Sequence, residues 1–278
     1  MTRKKIDITK IVLVLFGIIV VTWSLSPIVW IFLTGLKENK EIYVWPPTWL
    51  PSAPTMRNFI DVFVKRPFPY YFRNSAIVAI STVIVSCGLS ILAGYGFSKF
   101  RFKGSALCFI LVLLSRTVPP PSLLIPFYTI GKYFGIINTH FILVMSYVYI
   151  SLPLNIWIVK GFFDSFPDEL IDAAEVDGCS RLRALGKIIL PNLLPAFVAI
   201  AIITFVLGWN ELLYGVVFTT TPAARTISPG LTDFFGDFHI YWGQLSAAAF
   251  LSMIPIIIFT ILFSKYMIKG LVAGAIKG

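Results

Sequence analysis

Six stretches of this chain run long enough without Asp, Glu, Lys or Arg to cross hydrocarbon: 11–36, 75–98, 104–131, 139–159, 188–210 and 240–264, with Arg116 the one charge among them. Each holds about the 20 residues that a helix needs to span roughly 30 Å. Their apolar positions are continuous instead of alternating, which predicts helices and excludes a membrane β-barrel. The pattern therefore predicts an all-α integral membrane protein with six transmembrane helices, organised as a single transmembrane domain over 1–278. The largest polar insertion, Lys37 to Asn74, carries Trp45, Pro46, Pro47, Trp49 and Pro51, an aromatic and rigid cluster suited to the outer interface.

Composition supports the membrane reading. The chain is 57% hydrophobic and 13% charged, with mean hydropathy +0.85; soluble domains are about 45–50% apolar and about 25% charged. Charge placement adds orientation. With the amino terminus inside, fourteen Lys and Arg fall on the inner side and eight on the outer, so both termini and the 165–191 loop are expected to face the cytoplasm. This bias accounts for the net charge of +10 and removes any reason to invoke nucleic acid. The first apolar run is longer than the core of a signal peptide and is read as a retained helix. Cys87, Cys108 and Cys179 show no metal or disulfide spacing, and His140 and His239 stand alone, so no metal site and no cofactor are expected in this chain.

The most informative polar segment is Ser165 to Pro191, SFPDELIDAAEVDGCSRLRALGKIILP. Ser165 is placed to cap a helix, Pro167 suits its first turn, and Asp168 and Glu169 complement the positive end of its dipole. Leu170, Ala173, Ala174 and Asp177 recur at i, i+3, i+4 and i+7, giving one small, mildly apolar face, and Gly178 is a natural stop. The spacing predicts a surface helix over 165–177. Asp172-Ala173-Ala174, three residues, Gly178, nine residues, Ile188, one residue and Leu190-Pro191 resemble the EAA loop of bacterial ABC importer permeases, with Asp172 standing where that family usually has Glu. The resemblance implies a type I ABC importer permease fold and a cytoplasmic coupling loop, 165–191, that docks on an ATPase subunit through Asp168, Glu169, Asp172, Ala173, Ala174, Asp177, Gly178, Leu190 and Pro191.

Further segments narrow the resemblance to the maltose-type carbohydrate permeases: Arg73-Asn74-Ser75, Ala93 to Phe97 with Phe100 to Gly104, Gly135 to Thr139, Trp209-Asn210-Glu211 and the ending Gly270 to Gly278. That resemblance implies a non-catalytic inner-membrane subunit of a sugar importer. Its implied partners are a second permease, in a heterodimer, two ATPase subunits that bind ATP and Mg, and an extracytoplasmic sugar-binding protein. The ending similarly implies an ATPase contact at Gly270, Gly274, Lys277 and Gly278. On its own composition that tail is too rich in glycine to form a stable helix alone.

Candidates for the transport pathway come from polar groups at membrane depth. Arg116 precedes Pro119-Pro120-Pro121, and prolines inside a span break the helical ladder, so the third helix must be kinked or discontinuous there. Arg116 then either faces a polar cavity or a partner subunit, or ties the freed carbonyls of the break. Asn210, Glu211 and Tyr214 offer the amide, carboxylate and aromatic groups that sugars require, and Asn155 and Gln244 are further candidates. An integral-membrane enzyme is disfavoured because no phosphate loop, H-E-x-x-H or G-x-S-x-G motif is present. A stand-alone secondary transporter is disfavoured because Glu211 is the one carboxylate that approaches the membrane interior.

Overall fold

The computed structural model describes residues 8–100, 102–236 and 239–275, and leaves out the side chains of Ile8, Ile11 and everything from 264 onward. Among the described residues the regular structure is helical. Four helices are long and apolar enough to cross a membrane, Val12–Gly35, Phe68–Lys99, His140–Asp164 and Trp242–Phe263, and two bent pairs bring the number of spans to six. The chain divides into two compact units, 1–68 with 231–254 and 69–230 with 255–278.

The first unit holds α1 (Ile8–Gly35), α2 (Asn39–Ile42), α3 (Arg57–Val64) and the opening of α14 (Trp242–Ala275). The chain leaves α1 through a tight turn whose carbonyls are claimed by a single side chain: Asn58 donates to the Gly35 carbonyl at 2.9 Å and to that of Lys37 at 2.8 Å. Gly243 of α14 lies against that same amide, and a Cβ there would come within 2.6 Å of Asn58 Nδ2. Lys37 is only 2% exposed. Its ammonium sits 4.8 Å from the Trp30 ring and donates to the Thr48 carbonyl, which gives the buried charge both a π face and an acceptor. Glu41 receives the Ser52 N–H at 2.9 Å together with the hydroxyls of Thr48 and Ser52. The Ser52 N–H, the two hydroxyls and the Lys37 ammonium hold its carboxyl below the ordinary range. Phe32, Phe59 and Phe250 pack their rings together, Phe59 buried among them, and Trp45 and Trp49 remain exposed.

The second unit is built on α4 (Phe68–Lys99), α7 (His140–Asp164) and α11 (Leu194–Asn210). Gly94 of α4 permits close approach to α7, where a Cβ would meet Val159 Cγ1 at 2.9 Å and the Lys160 backbone at 3.1 Å. A polar network lies deeper. Asn155 of α7 donates to Ser86 Oγ on α4 at 2.9 Å and to Thr204 Oγ1 on α11 at 2.8 Å, and Ser86 also meets Ser151 at 2.9 Å. Hydrogen bonds of this kind join membrane helices where apolar contact with lipid offers no preference between partners. The ends are tied by asparagines. Asn74 donates to the carbonyls of Pro222 and Arg225, and Asn138, in the left-handed region at φ 59°, accepts from the Thr220 and Thr221 N–H groups.

Two departures from the sequence expectation appear in this frame. The fifth apolar stretch is not one helix over 188–210: the chain becomes helical at Arg181 and turns by 80° between Asn192 and Leu194. Pro191 and Pro195 flank the turn, and the missing N–H of Pro195 leaves the Pro191 carbonyl without its i+4 donor. The carboxyl-terminal tail is the other. The backbone of α14 continues helically through Gly270 and Gly274 to Ala275, while Lys277 and Gly278 lie outside the described residues. A helix already nucleated over the preceding apolar turns propagates at little cost per residue, and this overrides the local glycine penalty.

Candidate functional site

The 165–191 segment forms a short helix held rigidly on the second unit. Ser165 does not start it. Its hydroxyl donates back to the Phe162 carbonyl at 2.8 Å and finishes α7; Pro167, in extended backbone, leads into α8 (Asp168–Val176). Lys99, at the end of α4, donates to the Phe166 carbonyl at 2.8 Å and pairs with Asp168 at 2.5 Å. This places a cation against the acid of the first turn of α8 and pins that turn to α4. The helix ends in a Schellman arrangement: Cys179 N–H donates to the Ala174 carbonyl at 2.9 Å and Gly178 N–H to that of Glu175 at 3.0 Å, with Gly178 at φ 78°. Arg181 returns to Glu175 at 2.5 Å and lies 5.3 Å from the Phe100 ring, fastening the start of α9 (Arg181–Ala184) to the end of α8.

The expected docking face is rotated in the structure. Ala174 is buried, as is Ile171, which joins a core with Tyr95, Phe163, Phe166 and Leu185. Ala174 lets α8 approach its own bundle and does not share an outer face with Ala173. The outer face instead presents Leu170, Ala173 and Val176, the last 88% exposed, among the open carboxylates Asp168, Glu169, Asp172 and Asp177. Leu190 and Pro191 lie further on, in α10 (Leu190–Asn192), which follows a π-helical turn at Leu185–Ile189.

The second candidate region is the broken third span. After α5 (Ser105–Leu114) the chain makes a 3-10 turn at Ser115–Thr117, extends through Val118-Pro119, turns again at Pro120–Leu123 and resumes as α6 (Leu124–Tyr133), bent by 95° from its first half. Two tyrosines serve the freed backbone: Tyr149 of α7 donates to the Ser115 carbonyl at 3.2 Å and Tyr214 to the Pro120 carbonyl at 2.8 Å. The tying role weighed for Arg116 therefore falls to Tyr149 and Tyr214, while Arg116 is exposed on the turn. No ion pair joins it to Glu211 among the described residues. Tyr149 was not among the sequence candidates, since nothing in its local pattern marks it.

Glu211 stands in extended backbone between α11 and α12 (Leu213–Phe218), and its carboxylate caps α12 by accepting the N–H groups of Tyr214 and Gly215 at 3.1 and 3.2 Å. Tyr214 is fully buried and Asn155 likewise. Both are interior ties, not open pathway groups, because their donors are spent on the Pro120 carbonyl and on Ser86 and Thr204. Trp209 is packed between Phe205 and Phe72. Asn210 is exposed and donates to the Val206 carbonyl at 3.0 Å. Gln244 belongs to the first unit, where it accepts from Arg66 Nε at 3.0 Å. Of these candidates Arg116 and Asn210 stay exposed and Glu211 half-buried.

Six apolar spans, two of them bent, beside a short surface helix whose outer face carries open carboxylates, define a polytopic membrane protein. The chain belongs to the binding-protein-dependent transport system inner membrane components, whose family model matches residues 86–272. It is similar to the trehalose/maltose transport system permease protein of Thermococcus litoralis, at 35% identity with 97% of each chain covered. It is also similar to the sulfoquinovosyl glycerol transport system permease protein of Agrobacterium fabrum, at 34% identity over 92% of this chain and 90% of that one. The solved structure of a bacterial ABC transporter that imports the acidic polysaccharide alginate superposes with a TM-score of 0.82 at 19% identity, covering 96% of this chain and 99% of the other, and establishes the fold. The chain is accordingly a multi-pass inner-membrane permease of an ABC importer, with ATP hydrolysis carried by separate ATPase subunits.

Proposed function

We propose that this permease imports a carbohydrate, forms half of the translocation pathway with a second permease subunit, and receives the power stroke through α8. Its substrate class is supported by relatives named for trehalose, maltose and diacetylchitobiose uptake. In this reading the termini and the 165–191 loop face the cytoplasm, consistent with the distribution of Lys and Arg. A binding protein delivers the sugar from outside. Closure of the ATPase pair then moves α8, and the Lys99–Asp168 and Arg181–Glu175 links pass that movement to α4 and to the bent helix at Leu193.

The observation that carries the coupling assignment is the outward face of α8. Leu170, Ala173 and Val176 are apolar and open, ringed by carboxylates, on a helix whose opposite side buries Ile171 and Ala174. Ala173→Trp fills that face without touching the core. The expected result is a permease that inserts and folds normally but releases its ATPase or leaves hydrolysis uncoupled from uptake, measured by copurification and by substrate-stimulated ATPase activity. Wild-type coupling in that variant would sink the assignment.

A further inference from the structure

On the second unit, where α4 ends and α5 begins, lies an open cleft of about 630 Å³ lined by Phe97, Phe100, Phe102, Phe109, Ile110 and the stem of Lys160. Phe97 holds Phe109 at 5.5 Å and Phe102 at 6.2 Å, so the rings form a slot with aromatic walls. Gly104, at φ 87°, turns the chain sharply into α5 and lines the slot with Ser105 and Ala106. No carboxylate is among the described residues that line the slot, and Asp164 stands at its rim, where its Oδ1 accepts from Ser98 Oγ at 2.7 Å. The Lys160 ammonium lies 5.5 Å from the Phe109 ring and pairs with Asp164 at 2.6 Å. Lys103, on the adjoining loop, is exposed and pairs with no acid among the described residues, and the same loop sequence includes Arg101.

Depth decides what can fill this slot. α7 has 25 residues, about 37 Å at 1.5 Å per residue, against about 30 Å of hydrocarbon, so Lys160, four residues from its end, sits at the boundary between acyl chains and headgroups. Basic residues there reach toward headgroup phosphates while their stems stay apolar. We propose that the slot binds one anionic phospholipid of the adjoining leaflet, with an acyl chain between the phenylalanine rings and the phosphate drawn to Lys103. The leaflet is the cytoplasmic one on the orientation proposed above. The site would tie lipid composition to the loop that packs Phe100 against Arg181 beside α8.

The test uses the full chain, purified with its co-expressed partners, in nanodiscs of phosphatidylcholine with or without phosphatidylglycerol. Trace phosphatidylglycerol or phosphatidylcholine carrying a photoreactive acyl chain is added, and labelled peptides are mapped by mass spectrometry. Phosphatidylglycerol is expected to label the 97–110 segment in preference to phosphatidylcholine. Lys103→Glu is expected to lower that preference at least roughly five-fold, the change that corresponds to losing one surface cation, with total labelling and thermal stability kept. Equal labelling by the two lipids, or a preference unchanged in Lys103→Glu, overturns the anionic site; absence of label with the slot cross-linked to another subunit overturns a lipid site altogether. Both leaflets of a nanodisc have the same composition, so a reversed orientation would leave the labelling result intact, and loss of ATPase coupling in Ala173→Trp is read separately.

Discussion

The two broken spans of this permease solve one problem in different ways. At Leu193 the bonds around the bend are local: its N–H reaches the Ile189 carbonyl at 3.0 Å, its own carbonyl accepts from Ala196 and Phe197, and Asn192 Nδ2 serves the Ile188 carbonyl at 2.7 Å. Every partner comes from the same few turns. At Ser115–Leu123 three consecutive prolines remove too many donors for that, and the carbonyls of Ser115 and Pro120 are served by hydroxyls carried on α7 and α12. The first bend is a property of its own segment; the second exists only while other helices stand beside it. In lipid this difference matters, because a freed carbonyl has no water to turn to.

The strongest way to break the comparison is Tyr214→Ala. It removes a fully buried ring and the hydroxyl on Pro120 together, and should destabilise the purified chain by about 3–5 kcal/mol, as large aromatic truncations do. Thermal unfolding in detergent would show it, and an unchanged transition would mean that the break does not depend on α12. Tyr214→Phe sharpens the point by keeping the ring and deleting only the bond; a loss of about 1 kcal/mol is expected, in the range of interhelical hydrogen bonds in membranes.

Tyr149→Phe should cost less, about 0.6 kcal/mol, since its bond to the Ser115 carbonyl is longer at 3.2 Å and partly exposed. A double Tyr149→Phe, Tyr214→Phe variant should lose less than the sum if both hydroxyls support one rigid break, because each single variant already forfeits their coupling, and a strictly additive loss would show that the two ties act independently. The smallest effect is expected at the local bend. Asn192→Ala removes an exposed side-chain bond to a carbonyl four residues away, and the transition should move by about 0.5 kcal/mol or less. A loss as large as that of Tyr214→Phe would contradict the view that the Leu193 bend is maintained by its own backbone.

The spans, the kink at Pro119 to Pro121, the stop at Gly178 and the acidic start of α8 could be read from the chain because each rests on groups within a turn or two of one another. Continuous apolar runs predict burial in lipid, imino residues remove donors, and a glycine admits a left-handed turn whatever surrounds it. The 80° bend at Leu193 had its signal as well, in Pro191 and Pro195, but a run of apolar residues on both sides hid it. The spacing Asp172-Ala173-Ala174 to Gly178 marked the coupling loop, yet helical periodicity placed Ala173 and Ala174 on one face without saying which side of that face is inward. Only the packing of Ile171 against Phe163, Phe166 and Leu185, with Ala174 buried on the same side, decided it.

The same limit applies to the polar residues at depth. Sequence alone determined that Arg116, Asn155, Asn210, Glu211 and Tyr214 lie in or beside membrane spans, and that each needs a partner or a cavity there. Tertiary structure decided which had which: Asn155 joined Ser86 and Thr204, Tyr214 closed on Pro120, Glu211 capped α12, and Arg116 was left open. The reason is that a hydrogen bond between helices depends on their relative rotation and depth. Those are set by contacts such as Gly94 on Val159, between residues far apart in the chain.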